Sequence, residues 1–494
     1  MEAGSPVLYA PLNESESRVQ LRKRASTFIF LAKVIYFCVG INGAAARSFL
    51  AIFLKDARMS YSYIGVYFAF TSAATALSTP LFGILIENVK MYSTFMRLLG
   101  ILTVVASCTL LIQFFAYDPH PASTLKTFKS WLKYFLPVSN SPDVATMRLY
   151  YLVGCGVFYS AVARALNSVS DAAVMDVCRN CPKPHGYSYD RVRGILSLGM
   201  GLSNICCGVI LAYSSFRDYQ VWFVCTCALF IVAALVFPLS SIWVKNFKNS
   251  LCGNALSGNG NGDADEASSG SDSEDIKPRD NGDATVCFKM WKLISNIQVL
   301  FFLLVSIVNG MGNATYDIYI ILRLKQLNAS YVLIGFTAGL GSLTNFAFFY
   351  ITPMIRKKIG NRGMIIVSML TFCVRSGIYS LINNSNYLIV LIAQSLHGLN
   401  FSVMLAGSIG YLNEKTKTNG LTIFGRAMFA FAFSGLGGIV GNLLGGYLYD
   451  IYGAVLMFQV KVYVTLCAAV LFFLSEYICS PSSSYKPCNN DEQV

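Results

Sequence analysis

Apolar stretches long enough to cross a bilayer recur along the chain at approximately 27–54, 61–86, 93–116, 147–177, 191–215 and 219–244, and again at 293–322, 331–355, 363–382, 386–412, 421–448 and 455–478. A spanning helix needs roughly 20 predominantly apolar residues, so the pattern predicts an all-α membrane protein with twelve transmembrane helices in two sets of six. The intervening stretch, 246–290, contains SGNGNGDADEASSGSDSED. Such a run of Gly, Ser, Asn and acidic residues cannot bury enough apolar surface to order itself. The expected organisation is therefore a cytosolic tail 1–26, a six-helix bundle 27–245, a disordered cytosolic linker 246–290, a second bundle 291–479 and a cytosolic tail 480–494.

Composition agrees: 55% of the 494 residues are hydrophobic and only 13% are charged, against about a quarter charged in ordinary soluble domains. This excludes a soluble nucleotide-binding enzyme and a secreted disulfide scaffold. The net charge of +13 would point to nucleic acid only if the basic residues shared one water-exposed face. They are strung between apolar segments, which is a topological pattern. The polar start, ending in Arg22-Lys23-Arg24, precedes an apolar run too long for a signal peptide and without a small-residue cleavage site. With the N-terminus inside, the cytosolic segments hold roughly 22 Lys and Arg against about nine outside, as the positive-inside bias requires. Both termini are then cytosolic. Asn328 and Asn383 fall outside as glycosylation acceptors in Asn-Ala-Ser and Asn-Asn-Ser.

Most of the fifteen cysteines lie within apolar runs, where a thiol acts as a small hydrophobe. Cys178-Arg-Asn-Cys181 has no second pair or nearby His to complete a metal site, so no metal and no cofactor is expected. The Thr79-Pro80 pair recurs as Thr352-Pro353 in the eighth segment, which marks the halves as parallel repeats. Gly437, Gly441 and Gly445 space small residues along the eleventh segment for close helix packing.

Ionisable residues within the spans are the main chemical clue, because a charge in hydrocarbon costs about 2.5–3.5 kcal/mol even on the gentlest scale. They are Lys33 and Arg47 in the first segment, Arg164, Asp171 and Asp176 in the fourth, Asp317 in the seventh, Arg375 in the ninth, His397 in the tenth and Lys461 in the twelfth. Lys33, Asp176, Lys461 and Glu476 lie near helix ends and are expected to snorkel. The others call for a partner or a wet cavity.

Taken with Leu54-Lys55-Asp56, PLFGILIENVK from Pro80, YDRVRG from Tyr189, ATYD ending at Asp317, PMIRKKIGNR from Pro353, VRSGIYS around Arg375, QSLHGLN from Gln394 and GGYLYDIYG from Gly445, the chain resembles the major facilitator superfamily. The resemblance is to its lactose permease-like branch, with nucleoside–proton symporters and facilitator-associated-domain proteins, and it spans most of both halves. It implies two six-helix bundles related by an axis along the membrane normal, with a substrate site midway between them.

Carried over residue by residue, the resemblance makes Asp171 and Arg193 the paired carboxylate and arginine that hydrogen-bond the solute. The family's stacking Trp falls at Met200, which disfavours a galactoside. Arg375 and His397 match the family's Arg and His, while the proton-carrying Glu is Asn400 and a second acid is Ser342. An Asp–Lys pair is replaced on both sides, by Ile320 and Gln394. Asp317 is kept, its Lys partner falls near Ser434, and Arg47 is expected to take that place. In the loop between the second and third segments, Gly83 and Glu87 keep the start of the gating motif while Asn88 and Lys90 depart from it.

The expected function is secondary active or facilitative transport of a small polar organic solute by alternating access. Arg47, Asp171, Arg193, Asp317, Asn345, Arg375, His397 and Asn400 would serve as binding or coupling residues, and Gly83 and Glu87 as gating residues. An anionic or sugar-like solute is preferred, and a proton is a candidate second cargo through His397 or Asp317. A non-transporting receptor or scaffold on the same fold is the alternative. No nucleophile–base pair stands at membrane depth, so the chain is not expected to be an enzyme. A monomer in the bilayer, without nucleic acid, is expected, in the plasma membrane or an endomembrane.

Overall fold

The computed structural model describes residues 14–44, 48–56, 59–89, 92–117, 142–180, 189–213, 226–236, 238–239, 291–384, 386–416 and 422–478. Every regular element among the described residues is helical. In chain order they are α1 (Glu14–Ala44), α2 (Leu50–Asp56), α3 (Tyr61–Val89), α4 (Tyr92–Tyr117), α5 (Pro142–Asn180), α6 (Tyr189–Tyr213), α7 (Thr226–Val236), α8 (Ile297–Gln326), α9 (Tyr331–Ser380), α10 (Val390–Ser395), α11 (His397–Thr416), α12 (Thr422–Ala430) and α13 (Gly437–Ile478), with a π-helical turn at Phe431–Leu436 before α13. The linker 246–290 and the tail 480–494 fall outside the described residues.

Two boundaries differ from expectation for physical reasons. The first helix begins at Glu14, well inside the predicted polar tail, because Glu, Gln, Arg, Leu and Lys in that stretch are good helix formers whether or not they are apolar. The eighth and ninth apolar segments form one element, α9, and the twelfth is continuous with most of the eleventh in α13. Each is broken at a single glycine, Gly360 (φ 68°) and Gly453 (φ 82°). That positive φ carries no Cβ penalty at glycine, so the chain turns there without leaving helix on either side. Among the described residues, eight helical stretches are long and apolar enough to cross a membrane.

The described residues form two compact units. One takes those of Met1–Phe53, Leu77–Asp275 and Ser330–Tyr350, the other those of Leu54–Ala76, Ile276–Ala329 and Ile351–Val494. In the first unit α1 packs along α6 and α4 along α5. A Cβ on Gly199 would strike the carbonyl of Phe37, so α1 and α6 touch backbone to backbone.

In the second unit α8 packs along α13, and the small-residue stripe of α13 makes that possible. A Cβ on Gly437 would lie 2.7 Å from the Ile307 carbonyl, and one on Gly441 would lie 2.5 Å from that of Met311. The core of this unit gathers Phe302, Val305, Ile365, Met369, Met404, Tyr411, Phe429 and Phe472 from α8, the later half of α9, α11, α12 and α13. Tyr411 stacks on Phe302 with ring centroids 4.9 Å apart.

Two expectations about snorkelling side chains are corrected here. Glu476 is buried, accepting from the Tyr411 hydroxyl at 2.6 Å and pairing with Arg362 at 2.9 Å. A carboxylate offered a hydroxyl donor and a guanidinium charge by the protein has no reason to reach for the interface. Lys461 also turns inward, for reasons given with its partners below.

Candidate functional site

Polar side chains of the apolar helices gather in two centres, one in each unit. In the first unit, α6 places Arg193 opposite Asp171 of α5, with Nη1 at 2.5 Å from Oδ2. The other carboxylate oxygen accepts the hydroxyl of Tyr36 on α1 at 2.6 Å. Tyr36 is 1% exposed, and the Asp171 and Arg193 side chains keep 18% and 30% of their surface. The carboxylate is therefore held from both sides by charge-assisted and hydroxyl donors, and three helices converge on it. Nothing in the sequence singles out Tyr36, because a tyrosine in an apolar run looks like any other aromatic and no spacing rule ties it to Asp171. Asn345, also in this unit, is buried on α9.

The second unit holds a larger network. Arg375, on the later half of α9, is fully buried. Its Nε donates to the Ala393 carbonyl at 3.0 Å, Nη1 to Asn400 Oδ1 at 3.1 Å and Nη2 to the Tyr379 hydroxyl at 3.0 Å. The guanidinium also lies over the Tyr316 ring, 4.7 Å from its centroid.

Asn400 on α11 completes the link to α9. Its Nδ2 donates to the carbonyl and hydroxyl of Ser368 at 3.1 and 3.2 Å, and the Ser368 hydroxyl returns a bond to the Asn400 carbonyl at 2.7 Å. Tyr316 donates to the Phe372 carbonyl at 3.2 Å and pairs with the Ser376 hydroxyl. On α13, Lys461 donates to Thr315 Oγ1 at 2.5 Å and lies over the rings of Tyr316 and Phe458, at 5.3 and 5.0 Å. Its partners all lie inside the unit, which is why it does not snorkel.

Of the residues expected to act together, Arg375 and Asn400 are in direct contact, and Asp171 is bonded to Arg193. His397 opens α11, buried and parallel to Phe401 at 6.1 Å between centroids. Asp317 follows Tyr316 on α8 and is half-buried. Arg47 lies outside the described residues, and with it the expected Arg47–Asp317 contact. Gly83 and Glu87 fall in the final turns of α3. Asn328 and Asn383 are exposed, Asn328 with a left-handed φ of 54° in the turn after α8.

Away from these centres, α3 begins in a clasp within the second unit. Asp450 near the break in α13 accepts the hydroxyl and the amide of Ser62 at 2.8 and 3.4 Å. Gln326 donates to the Tyr61 hydroxyl at 2.6 Å and accepts from Tyr449 at 2.7 Å, and Lys325 pairs with Asp56 at 3.3 Å.

The sequence pattern of the MFS_1 like family matches residues 29–460. No curated relative matches the chain in sequence. Among solved structures, a point mutant of the nucleoside transporter NupG superposes with a TM-score of 0.63 at 10% identity, covering 91% of this chain and 99% of its own. A bacterial homologue of the iron transporter ferroportin, in an inward-facing state, gives 0.61 at 12% identity, covering 91% and 98%. A point mutant of the peptide transporter POT gives 0.57 at 9% identity, covering 91% and 93%. At such identities the likeness is one of fold.

Proposed function

The chain belongs to the MFS_1 like family, and from that premise we propose that this multi-pass membrane protein carries a small polar or anionic organic solute across the bilayer by alternating access. The observation that carries the reading is the Asp171–Arg193 pair, partly exposed and braced by Tyr36 on a third helix. A guanidinium and a carboxylate satisfy each other when the site is empty and offer donors and acceptors to a polar solute when it is filled. The same pair matches the solute-binding positions implied by the resemblance to lactose permease-like carriers.

Ion pairs within apolar helices are costly enough that they persist where function requires them. The fold shared with nucleoside, iron and peptide transporters supports the class of activity. Met200 offers no aromatic face for a sugar ring, so a carboxylate or phosphorylated solute fits this pair better than a galactoside. At the position of the family's proton-carrying Glu, the amide of Asn400 is tied to Arg375 and Ser368. That position does not exchange protons.

The reading is tested by screening metabolite classes for thermal stabilisation of the purified protein, since a ligand that binds only the native state raises its stability by mass action. A class that stabilises the wild type and has no effect on Arg193→Gln supports the proposal. Stabilisation that survives Arg193→Gln and Asp171→Asn unchanged overturns the assignment of the site.

A further inference from the structure

Lys461 sits on the buried stripe of α13. Met457, Phe458, Thr465, Ala468, Ala469 and Phe472 are buried at helical spacing around it, while Tyr463, Val464, Leu466 and Cys467 face outward. Its depth can be read twice. At about 1.5 Å per residue, Lys461 is roughly 12 Å from the break at Gly453, and its partner Thr315 is roughly 17 Å from the end of α8 at Gln326. Both figures place the ammonium well inside the apolar span.

Two cations meet at one ring. Arg375 and Lys461 both lie against Tyr316, and among the described residues neither pairs with a carboxylate. The Thr315 hydroxyl commits its proton to the carbonyls of Met311 and Gly312, at 2.8 and 3.0 Å, so its oxygen is turned to Lys461 as an acceptor. An ammonium has three donors, and here it finds one acceptor and two aromatic faces. One of the two cations would be relieved by losing its proton. Arginine does not lose one under any physiological condition, and Asn400 has none to lose.

We propose that Lys461 is the proton-carrying residue of this transporter, taking over from the carboxylate that Asn400 replaces. The inference rests on the transport reading above and adds the coupling ion to it. In the step, one N–H bond of the ammonium breaks, the electron pair stays on Nζ and the proton passes to water. The resulting amine still has an N–H for Thr315, so the contact between α8 and α13 survives both states. The titratable and charged groups reached through the rings and helix that hold Lys461 are Tyr316, with Asp317 next to it on α8, and Arg375, Tyr379 and Cys373 from α9. Of these, Cys373 donates to the Val462 carbonyl at 3.8 Å.

The test needs no identified solute. Charge displacement on a pH jump is recorded from proteoliposomes on a solid-supported membrane for the wild type and for Lys461→Arg, Lys461→Gln and the outward-facing control Tyr463→Phe. The expected result is a displacement in the wild type that is lost in both Lys461 variants and kept in Tyr463→Phe, which alters only the outward face of α13. Lys461→Arg keeps a cation beside Thr315 and so serves as the folded control, verified by its melting temperature. The proposal is overturned if the wild type displaces no charge above empty liposomes, if either Lys461 variant keeps the signal, or if Tyr463→Phe loses it as well. A carrier that binds a solute but displaces no charge would leave the transport reading standing and remove this one alone.

Discussion

Asn400 accepts a 3.1 Å hydrogen bond from Arg375, and this neutral amide stands where the resemblance places an ionisable acid. The orientation of the amide is dictated by its surroundings, since Nδ2 must face the Ser368 carbonyl, which can only accept. Every polar atom of the Asn400 side chain is thus used in holding α9 to α11. The arrangement makes the position structural and moves the question of coupling elsewhere.

Removing either partner should therefore be costly. Arg375→Met leaves Asn400 Oδ1, the Ala393 carbonyl and the Tyr379 hydroxyl without their donors. Each buried acceptor left unmade in this way costs about 1–3 kcal/mol, and here there are three. Asn400→Leu strands one donor of the guanidinium and should cost about 1–3 kcal/mol. Thermal unfolding in detergent with both variants checks the order: Arg375→Met falls further than Asn400→Leu.

In the first unit, Tyr36→Phe deletes one donor to Asp171 and leaves the Arg193 bond in place. A loss of about 1.5–3 kcal/mol is expected for a hydrogen bond to a charged group. In a double-mutant cycle, Tyr36→Phe should have little further effect once Asp171→Ala has removed the acceptor, because the two act through one contact. Strict additivity would show that Tyr36 does not position the carboxylate.

Close approach of α8 and α13 predicts a sharp difference between two glycines. A methyl at Gly441 would meet the carbonyl and Cα of Met311 at 2.5 and 2.6 Å, whereas one at Gly154 meets nothing within 4 Å. Overpacking against backbone costs about 1–3 kcal/mol, so Gly441→Ala should lower the melting temperature clearly. Gly154→Ala should leave it unchanged or raise it slightly, since alanine is the better helix residue.

The clasp at the start of α3 acts as a helix cap supplied from another helix. Asp450 receives the Ser62 amide and hydroxyl near the positive end of α3. Asp450→Ala should lose about 0.5–2 kcal/mol, as other lost N-caps do. Ser62→Ala should add little to it, which a two-variant cycle followed by thermal melting will read.

How much of this is legible in the sequence depends on the kind of signal. The span predicted at 93–116 is α4, Tyr92–Tyr117, and that predicted at 191–215 is α6, Tyr189–Tyr213. Long apolar runs bounded by polar turns leave the backbone no other way to satisfy its hydrogen bonds in lipid. Residue pairs that match a family pattern, such as Asp171 with Arg193, are also within reach.

The roles of Tyr36, Thr315, Tyr316 and Lys461 are not within reach, because they come from three-dimensional neighbours that no spacing announces. Distance from a helix end alone sends Lys461 to the interface. What decides its direction is the buried stripe it belongs to, and that is visible only once the neighbours Phe458 and Thr465 are known to be inside. Glu476 is misplaced by the sequence for the same reason: its partners, Tyr411 by hydrogen bond and Arg362 by charge, lie far from it along the chain.

The most direct test of transport itself is uptake into proteoliposomes, using the solute class that stabilises the purified protein and comparing wild type with Arg193→Gln. The account predicts saturable uptake above that of protein-free liposomes, abolished in Arg193→Gln although that variant remains folded. Binding of the solute with no uptake in the wild type, or uptake unchanged in Arg193→Gln, would contradict it.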